Sequence, residues 1–321
     1  MQHQNRKKAW SQTVEKLKIR YPLKGLQVLC GLFGLTRYAY YKALKQNHLN
    51  KDIEEEIIAK VKDIREKLPR VGTLKLHYMM VSFRKEKGIK CGRDKLHEVL
   101  KKRDMLVKTK AIRAKTTYSE HGYRKFENLT QDFEPSGINE LWVSDITYIR
   151  TGNRFSYLSL ITDAFSRKII GWSLQPTLHA RGPLMALDMA LSQKEEDSPT
   201  PLIHHSDRGI QYCCHQYIRL LQNNEITVSM TESPDPYENA LAERTNLTLK
   251  YEFLLERGFP SFHQAYHATK HAIQNYNHLR PHASLDYLTP GKAHELNIPL
   301  KKRWKKYPRS TNKERFNVLV A

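Results

Sequence analysis

Three acidic residues, Asp145, Asp207 and Glu243, stand in local contexts suited to holding a divalent metal. Asp145 lies inside a strand-like run, Leu141-Trp-Val-Ser-Asp-Ile-Thr-Tyr-Ile-Arg150. Asp207 follows a short apolar run and two histidines in Leu202-Ile-His-His-Ser-Asp-Arg-Gly209. Glu243 falls early in a helical pattern, Asn239-Ala-Leu-Ala-Glu-Arg-Thr-Asn-Leu-Thr-Leu-Lys250, and 35 residues separate it from Asp207. Phosphoryl transfer to water or a hydroxyl needs an activated nucleophile and a stabilised leaving oxygen, and two divalent ions roughly 3.5–4 Å apart supply both. Mg²⁺ is hard and takes carboxylate oxygens, usually one or two from the protein. Three carboxylates from separate elements are therefore enough for two ions at the end of a sheet, with Gly209 allowing the backbone to turn and approach closely.

The surrounding charge fits a phosphate backbone as substrate. The chain has 321 residues and a net charge of +21. Residues 1–135 carry 32 Lys and Arg against 15 Asp and Glu, residues 136–300 carry 14 against 17, and residues 301–321 carry 8 against 1. A basic front half and a basic tail around a nearly neutral middle point to nucleic acid, because solubility alone does not sort charge by segment. No apolar run approaches the ~20 residues needed to cross a bilayer, and the basic N-terminus has no apolar segment of a secretion signal behind it. The four cysteines make no disulfide framework in a chain of this length, so a reduced, cytoplasmic protein is expected.

The elements that must position the three carboxylates follow from the periodicity. From residue 139 the apolar period is 2. Leu141–Arg150, Phe155–Thr162 and Lys168–Leu174 read as an antiparallel meander. A helix around His179–Ser192, a short strand Leu202–His205, a helix Cys213–Asn223 and a strand Ile226–Ser229 follow, and Thr231–Glu238 reads as a loop. Three strands, then strands alternating with helices, is the order of an RNase H-like mixed sheet. Asp145 would then sit within the first strand, Asp207 just past the fourth, and Glu243 on the next helix. On that helix Asn246, Leu247 and Lys250 share a face with Glu243, an arrangement able to track a DNA strand.

The front half reads as helical. Val14–Tyr21 forms a helix before Pro22, and Gly31 and Gly34 interrupt the next apolar segment. Thr36 is placed to cap a basic, aromatic helix, Arg37–Lys45. A similar unit recurs, with a helix Leu74–Lys85, a turn Gly88–Gly92 and a helix Arg93–Arg103. The latter buries Leu96, Val99 and Leu100 and offers Arg93, Lys95, Lys101, Lys102 and Arg103 to phosphates. Each unit resembles a helix-turn-helix as well as a plain helical hairpin. Lys51–Lys67 reads as a spacer helix, and residues 107–138 as a polar linker.

Other residues invite competing readings. Asp163 ends the second strand and is placed to cap its turn rather than bind metal. His204, His205, Cys213 and Cys214 lack the ligand spacing of a zinc site, although His205 is close enough in sequence to help position Asp207. No Gly-x-Ser-x-Gly elbow is present. Arg280-Pro-His282 suits a DNA clamp or a helix-ending turn. Lys301–Lys306 mixes five basic residues with one aromatic, which suits phosphate contacts with one stacked base.

These stretches together resemble the OrfB-type transposases of the IS-three family of insertion sequences, which carry a retroviral-integrase-like core. The resemblance rests on Trp142–Thr147, Thr162–Gly171, His205–Gly209, Asn239–Glu243, Tyr276–Leu285 and Thr289-Pro290, in that order. One departure is Glu238, which stands where the family usually has Asp. The resemblance implies an α/β fold, with an RNase H-like mixed five-stranded sheet flanked by helices behind an all-helical helix-turn-helix region. It implies a helix-turn-helix-like segment 1–50, a second one 51–112, a linker 113–138, an integrase-like catalytic core 139–300 and a basic tail 301–321. It makes Asp145, Asp207 and Glu243 the catalytic metal ligands for Mg²⁺ or Mn²⁺, two ions in all. Lys250, Arg37, Arg93, Lys95 and Arg280 are the expected DNA contacts. The implied activity is binding of the element's terminal inverted repeats, 3′-end cleavage and strand transfer into target double-stranded DNA. That work would be done by a homo-oligomer in the bacterial cytoplasm, at the nucleoid. An upstream-frame DNA-binding partner or fusion is compatible, since no leucine-zipper heptads occur here. The alternative is a catalytically inactive, transposase-derived DNA-binding protein.

Overall fold

The computed structural model describes residues 2–108, 122–131, 133–194, 201–232 and 238–299. The expected basic tail, the first part of the expected linker and most of the loop before Glu238 lie outside the described residues. The chain forms two compact units, Met1–Ile64 with Met80–Met105, and Arg65–Met79 with Leu106–Ala321.

The first unit is helical, with α1 (Gln2–Arg20), α2 (Leu26–Gly31) and most of α3 (Arg37–Lys67). Val14, Leu29, Cys30 and Tyr40 form their shared core. Thr36 caps α3 as expected, its Oγ1 accepting from the Ala39 N–H at 3.2 Å. The two helices expected over Arg37–Lys45 and Lys51–Lys67 are one helix of 31 residues. No Pro or Gly interrupts Gln46–Asn50, and the Gln46 and Asn50 side chains bond one turn apart at 3.2 Å, so nothing ends the helix there. The helix expected over Leu74–Lys85 is instead two, α4 (Thr73–Met79) and α5 (Val81–Glu86). They are separated by buried Met80 at φ −94°, ψ 11°, and α4 belongs to the second unit. α6 (Arg93–Lys102) buries Leu96, Val99 and Leu100 as its pattern requires. Lys102, Arg103 and Lys87 pair with Glu54, Glu55 and Glu56 of α3, so these cations are engaged within the unit.

The second unit holds the sheet. Its strands are β1 (Leu141–Thr151), β2 (Arg154–Asp163), β3 (Ile169–Gln175), β4 (Leu202–Ser206) and β5 (Ile226–Met230). Its later helices are α7 (Arg181–Leu191), α8 (Ile210–Cys213), α9 (His215–Asn223), α10 (Ala240–Glu252), α11 (Phe262–His278) and α12 (Pro290–Leu296). The order is β3-β2-β1-β4-β5, antiparallel through β1–β3 and parallel from β1 to β5. This is the expected mixed, RNase H-like sheet. Trp142, Ile161, Ile170, Leu187, Tyr217 and Leu221 build the core on the α7–α9 side. Leu141, Val143, Ala164, Ile203 and Ala242 build a smaller one under α10.

Three contacts complete this unit. Asn277 of α11 closes on β3, accepting from Ile169 N–H at 3.0 Å and donating to Ile169 O at 2.9 Å. The described part of the expected linker packs on the sheet: Met230 N–H donates to Glu127 O, Leu129 N–H donates to Ser229 Oγ, and Phe126 joins the core. It covers the β5 edge, which an open sheet would otherwise leave exposed. Residues 65–79 belong here through polar contacts, with Lys75 on Glu252 at 2.7 Å and Arg70 on Glu256 at 2.8 Å.

Gly171 sets how closely α7 lies on β3. A Cβ at Gly171 would stand 2.1 Å from the Ala186 carbonyl oxygen and 3.1 Å from Ala190 Cβ. The obstacle is backbone, so Gly171→Ala is expected to destabilise the chain by about 3 kcal/mol or more. Thermal unfolding reads this, and an unchanged midpoint would refute the close approach.

Candidate active site

β1 and β4 are parallel neighbours, which brings residue 145 in β1 near the loop that leaves β4. Asp145 lies within β1 opposite Leu160 of β2, two residues past Val143 where the pairing with β4 ends, and on the Val143 side of the strand, facing α10. Its Oδ1 accepts from the Ile146 N–H at 2.8 Å and its Oδ2 from the Asn246 amide at 2.8 Å. Asp207 follows β4, and its Oδ1 accepts from the Gly209 N–H at 3.0 Å. A Cβ at Gly209 would lie 2.9 Å from that oxygen, so glycine there permits the close turn the sequence implied. Glu243 is exposed in the first turn of α10.

The three carboxylates share one field. Burial, then the Asp207 charge, pushes the Asp145 carboxyl up to about 7, with a further push from Glu243. Burial and then Asp207 raise Glu243 as well. Behind them Tyr212 is buried, and its phenol is pushed up by burial first, then by Tyr217, Asp145 and Asp207. Among the described residues, no basic side chain pairs with either oxygen of Asp145, in a protein of net charge +21. A buried carboxylate normally pairs or coordinates. An all-oxygen set of mutually repelling carboxylates is what a hard divalent cation neutralises. Among the described residues, no three His, Cys, Asp or Glu side chains converge tightly enough to hold a single ion. Glu243 is the exposed member of the set, while Asp145 is held by two hydrogen bonds.

Two amides that the carboxylate pattern does not reveal hold α10 along β1. Asn239 donates to Ser144 O at 2.9 Å, and Asn246 donates to Asp145. They lie seven residues apart on one helical face, two turns along, with Glu243 between them. Asn246 thus spends its amide on Asp145 rather than on a DNA strand. An asparagine inside a helix is a weak helix former, and that is the one local sign of its role. Lys250 extends over the Tyr148 ring, 4.0 Å from its centroid.

The other candidates fall elsewhere. Arg37 is exposed at the start of α3. Arg93 is exposed and paired with Asp94 at 2.8 Å, and Lys95 is half-buried. Arg280, expected as a DNA contact, is buried, and its guanidinium forks onto Glu252 at 2.7 and 2.8 Å. The bidentate pair takes up the charge that the sequence offered to DNA. Asp163 is buried and caps its turn, accepting from Ser166 N–H and Oγ–H and from Asn139 N–H. His204 bonds Ser144 and Tyr217, and burial pulls it down to about 3; His205 bonds Ser229, and burial pulls it down to about 4. Both are neutral core histidines, and His205 is turned to β5 instead of Asp207. Glu238 accepts from Asn128 and from the Glu232 N–H, so it staples the base of its loop.

Comparison with known proteins adds the following. Two family models, each described as integrase core domain, match residues 135–236 and 224–290. The insertion element IS600 uncharacterized 31 kDa protein of Shigella sonnei is 31% identical over 272 residues, 83% of this chain and 97% of that protein. Transposase InsF for insertion sequence IS3A of Escherichia coli (strain K12) is 35% identical over 184 residues, 57% of this chain and 63% of that protein. The HTLV-2 integrase catalytic core domain, solved in complex with magnesium, aligns at 19% identity and a TM-score of 0.39, covering 53% of this chain and 99% of that one. The simian T-cell lymphotropic virus intasome, solved with a PP2A regulatory subunit, aligns at 19% and 0.43, covering 71% and 80%. No helix among the described residues is long and apolar enough to cross a membrane.

Proposed function

The chain belongs to the IS-three (IS3) family of insertion-sequence transposases with an integrase-like core, and on that premise we propose that it is the catalytic DNA transposase of its element. It binds the terminal inverted repeats, cleaves at the 3′ ends and joins them to target double-stranded DNA. The observation that carries this reading is that Asp145 of β1, Asp207 after β4 and Glu243 of α10 come together closely enough for Asp207 to raise both of the others. Asp145, Asp207 and Glu243 would hold Mg²⁺ or Mn²⁺, two ions in all. When bound, such ions activate a water or a 3′-hydroxyl and stabilise the leaving oxygen.

The chain's own residues orient the reaction. The Asn246 amide fixes Asp145, and the Gly209 N–H fixes Asp207, so both carboxylates are aimed before DNA arrives. Such preorganisation removes reorganisation from the barrier. The Glu243 side chain, exposed, closes the set from the helix. Lys250, on the same helix, is placed to meet the backbone of the strand being cut. Arg37, Arg93 and Lys95 of the helical unit serve as phosphate contacts. Joining two ends in one complex calls for a homo-oligomer, in the bacterial cytoplasm at the nucleoid, with an upstream-frame partner or fusion compatible.

The test is strand transfer on labelled element ends with Mg²⁺, comparing the full chain with Asp207→Asn and with EDTA. Joined product is expected from the wild type alone and only with the metal. Equal joining by Asp207→Asn would remove Asp207 from the site.

A further inference from the structure

A basic cavity lies across α10 from the carboxylates. A cavity of about 350 Å³ opens on the flank of α10, lined by Arg167, Arg244, Thr248, Tyr276, His282 and Ser284 among others. Among the described residues, no acidic one lines it. Glu252 is already committed to Arg280 and Lys75, and Asp163 to its own turn. Asp163 and Glu134 act on Arg167 from outside the lining. The walls are therefore cationic without a resident anion.

We propose that this cavity binds a backbone phosphate of the DNA strand that runs past Asp145, Asp207 and Glu243. The proposal rests on the transposase reading and names a new contact for it. Arg167 supports it first. Its backbone is left-handed at φ 64°, a conformation that favours glycine, and its Nε is buried without a hydrogen-bond partner. An arginine kept in that conformation with an unsatisfied donor marks a position where the side chain is needed. Arg244 is exposed on the adjoining turn.

His282 adds a neutral donor. Its Nδ1 accepts from the Ser284 N–H at 3.3 Å and lies 2.7 Å from Ser284 Oγ. An Nδ1 that accepts leaves the ring proton on Nε2. Burial first, then the charges of Arg280, Arg167 and Lys75, holds the ring neutral down to about 3. The placement selects DNA over a free ion. Arg244 directly follows Glu243, about 100° around the helix toward the cavity, and both are exposed, so a strand that has its scissile group at the carboxylates and crosses α10 brings a phosphate to the cavity mouth.

The experiment measures binding of a labelled element-end duplex by the full chain in EDTA, across a salt series. Wild type is compared with Arg244→Ala and with Arg167→Asn, since Asn tolerates the left-handed backbone. Each variant is expected to lower the slope of log K against log salt by about 0.9 and to weaken binding alike for every sequence, with Arg244→Ala keeping the wild-type melting temperature. Wild-type slope and affinity in Arg244→Ala would overturn the cavity alone, whatever happens to Arg167→Asn. No binding by the wild type would sink this proposal and the transposase reading together. If inorganic phosphate raises the melting temperature of the wild type but not of Arg244→Ala, and the DNA slope is unchanged, the occupant is a free phosphate and the DNA assignment fails.

Discussion

Glu243→Gln is expected to lose 3′-end cleavage and strand joining by roughly a thousandfold or more while binding of the element ends persists. The change keeps the side chain's size and removes its charge. A carboxylate ligand contributes through charge, and loss of several kcal/mol of charge stabilisation at the transition state corresponds to about tenfold for each 1.36 kcal/mol. Glu243 is exposed and makes no packing contact in the sheet's core, so folding and melting temperature should not change. Single-turnover cleavage and a binding titration on the same labelled duplex read the two halves of the prediction. Full cleavage by Glu243→Gln would remove it from the ligand set. Loss of both binding and cleavage would assign the side chain to DNA contact instead.

The second large effect falls on stability. Arg280→Ala is expected to lower unfolding free energy by about 3 kcal/mol, the lower end of the roughly 3–5 kcal/mol for breaking a buried ion pair. The lower end applies because Lys75 still pairs with Glu252 at 2.7 Å after the change. The pair also leaves a pH signature. Burial pushes the Glu252 carboxyl up, but the hydrogen bonds and charge of Arg280, then Lys75, overcome this and hold it at about 2. Its ordinary value is 4.5, so this carboxylate stabilises the fold fully above pH 4.5 and loses its contribution as pH falls through about 2. Lys75 works in the opposite sense. Burial, then Arg280, pulls it down to about 8, which costs stability below pH 8 and is relieved as pH rises toward its ordinary 10.5. Urea unfolding at pH 7 and pH 3 should therefore show a steeper loss in the wild type than in Arg280→Ala. An unchanged midpoint with weakened DNA binding would return Arg280 to the role of clamp.

Much of the candidate site is legible in the sequence. Asp145, Asp207 and Glu243 stood out because each lies in a short segment whose period marks its element. The sheet's first three strands are close to where alternation placed them and the last two to where short apolar runs did, and the same alternation put Asp145 on a strand. Thr36 as cap and Asp163 as turn residue also follow from local chemistry, since a cap or turn is made within four residues. The long α3 was not legible as one helix. The segment Gln46–Asn50 is a weak place in the pattern but contains no true breaker, so propensity left the join undecided.

By itself, then, the sequence determined what depends on neighbours along the chain: element types, their order along the chain, the three candidate carboxylates and the sorted charge. The tertiary structure alone decided how the ionic and amide groups are spent. Asn246 turns to Asp145 across 101 residues, and Lys75 reaches Glu252 across 177. Arg280, read as open to DNA, closes on Glu252, while Arg167, inside the Thr162–Gly171 stretch but given no role by it, and Arg244 line a cavity with no acid among its described lining residues. A side chain's type limits the bonds it can make, but its partner is set by which distant element packs beside it, and no local period records that choice.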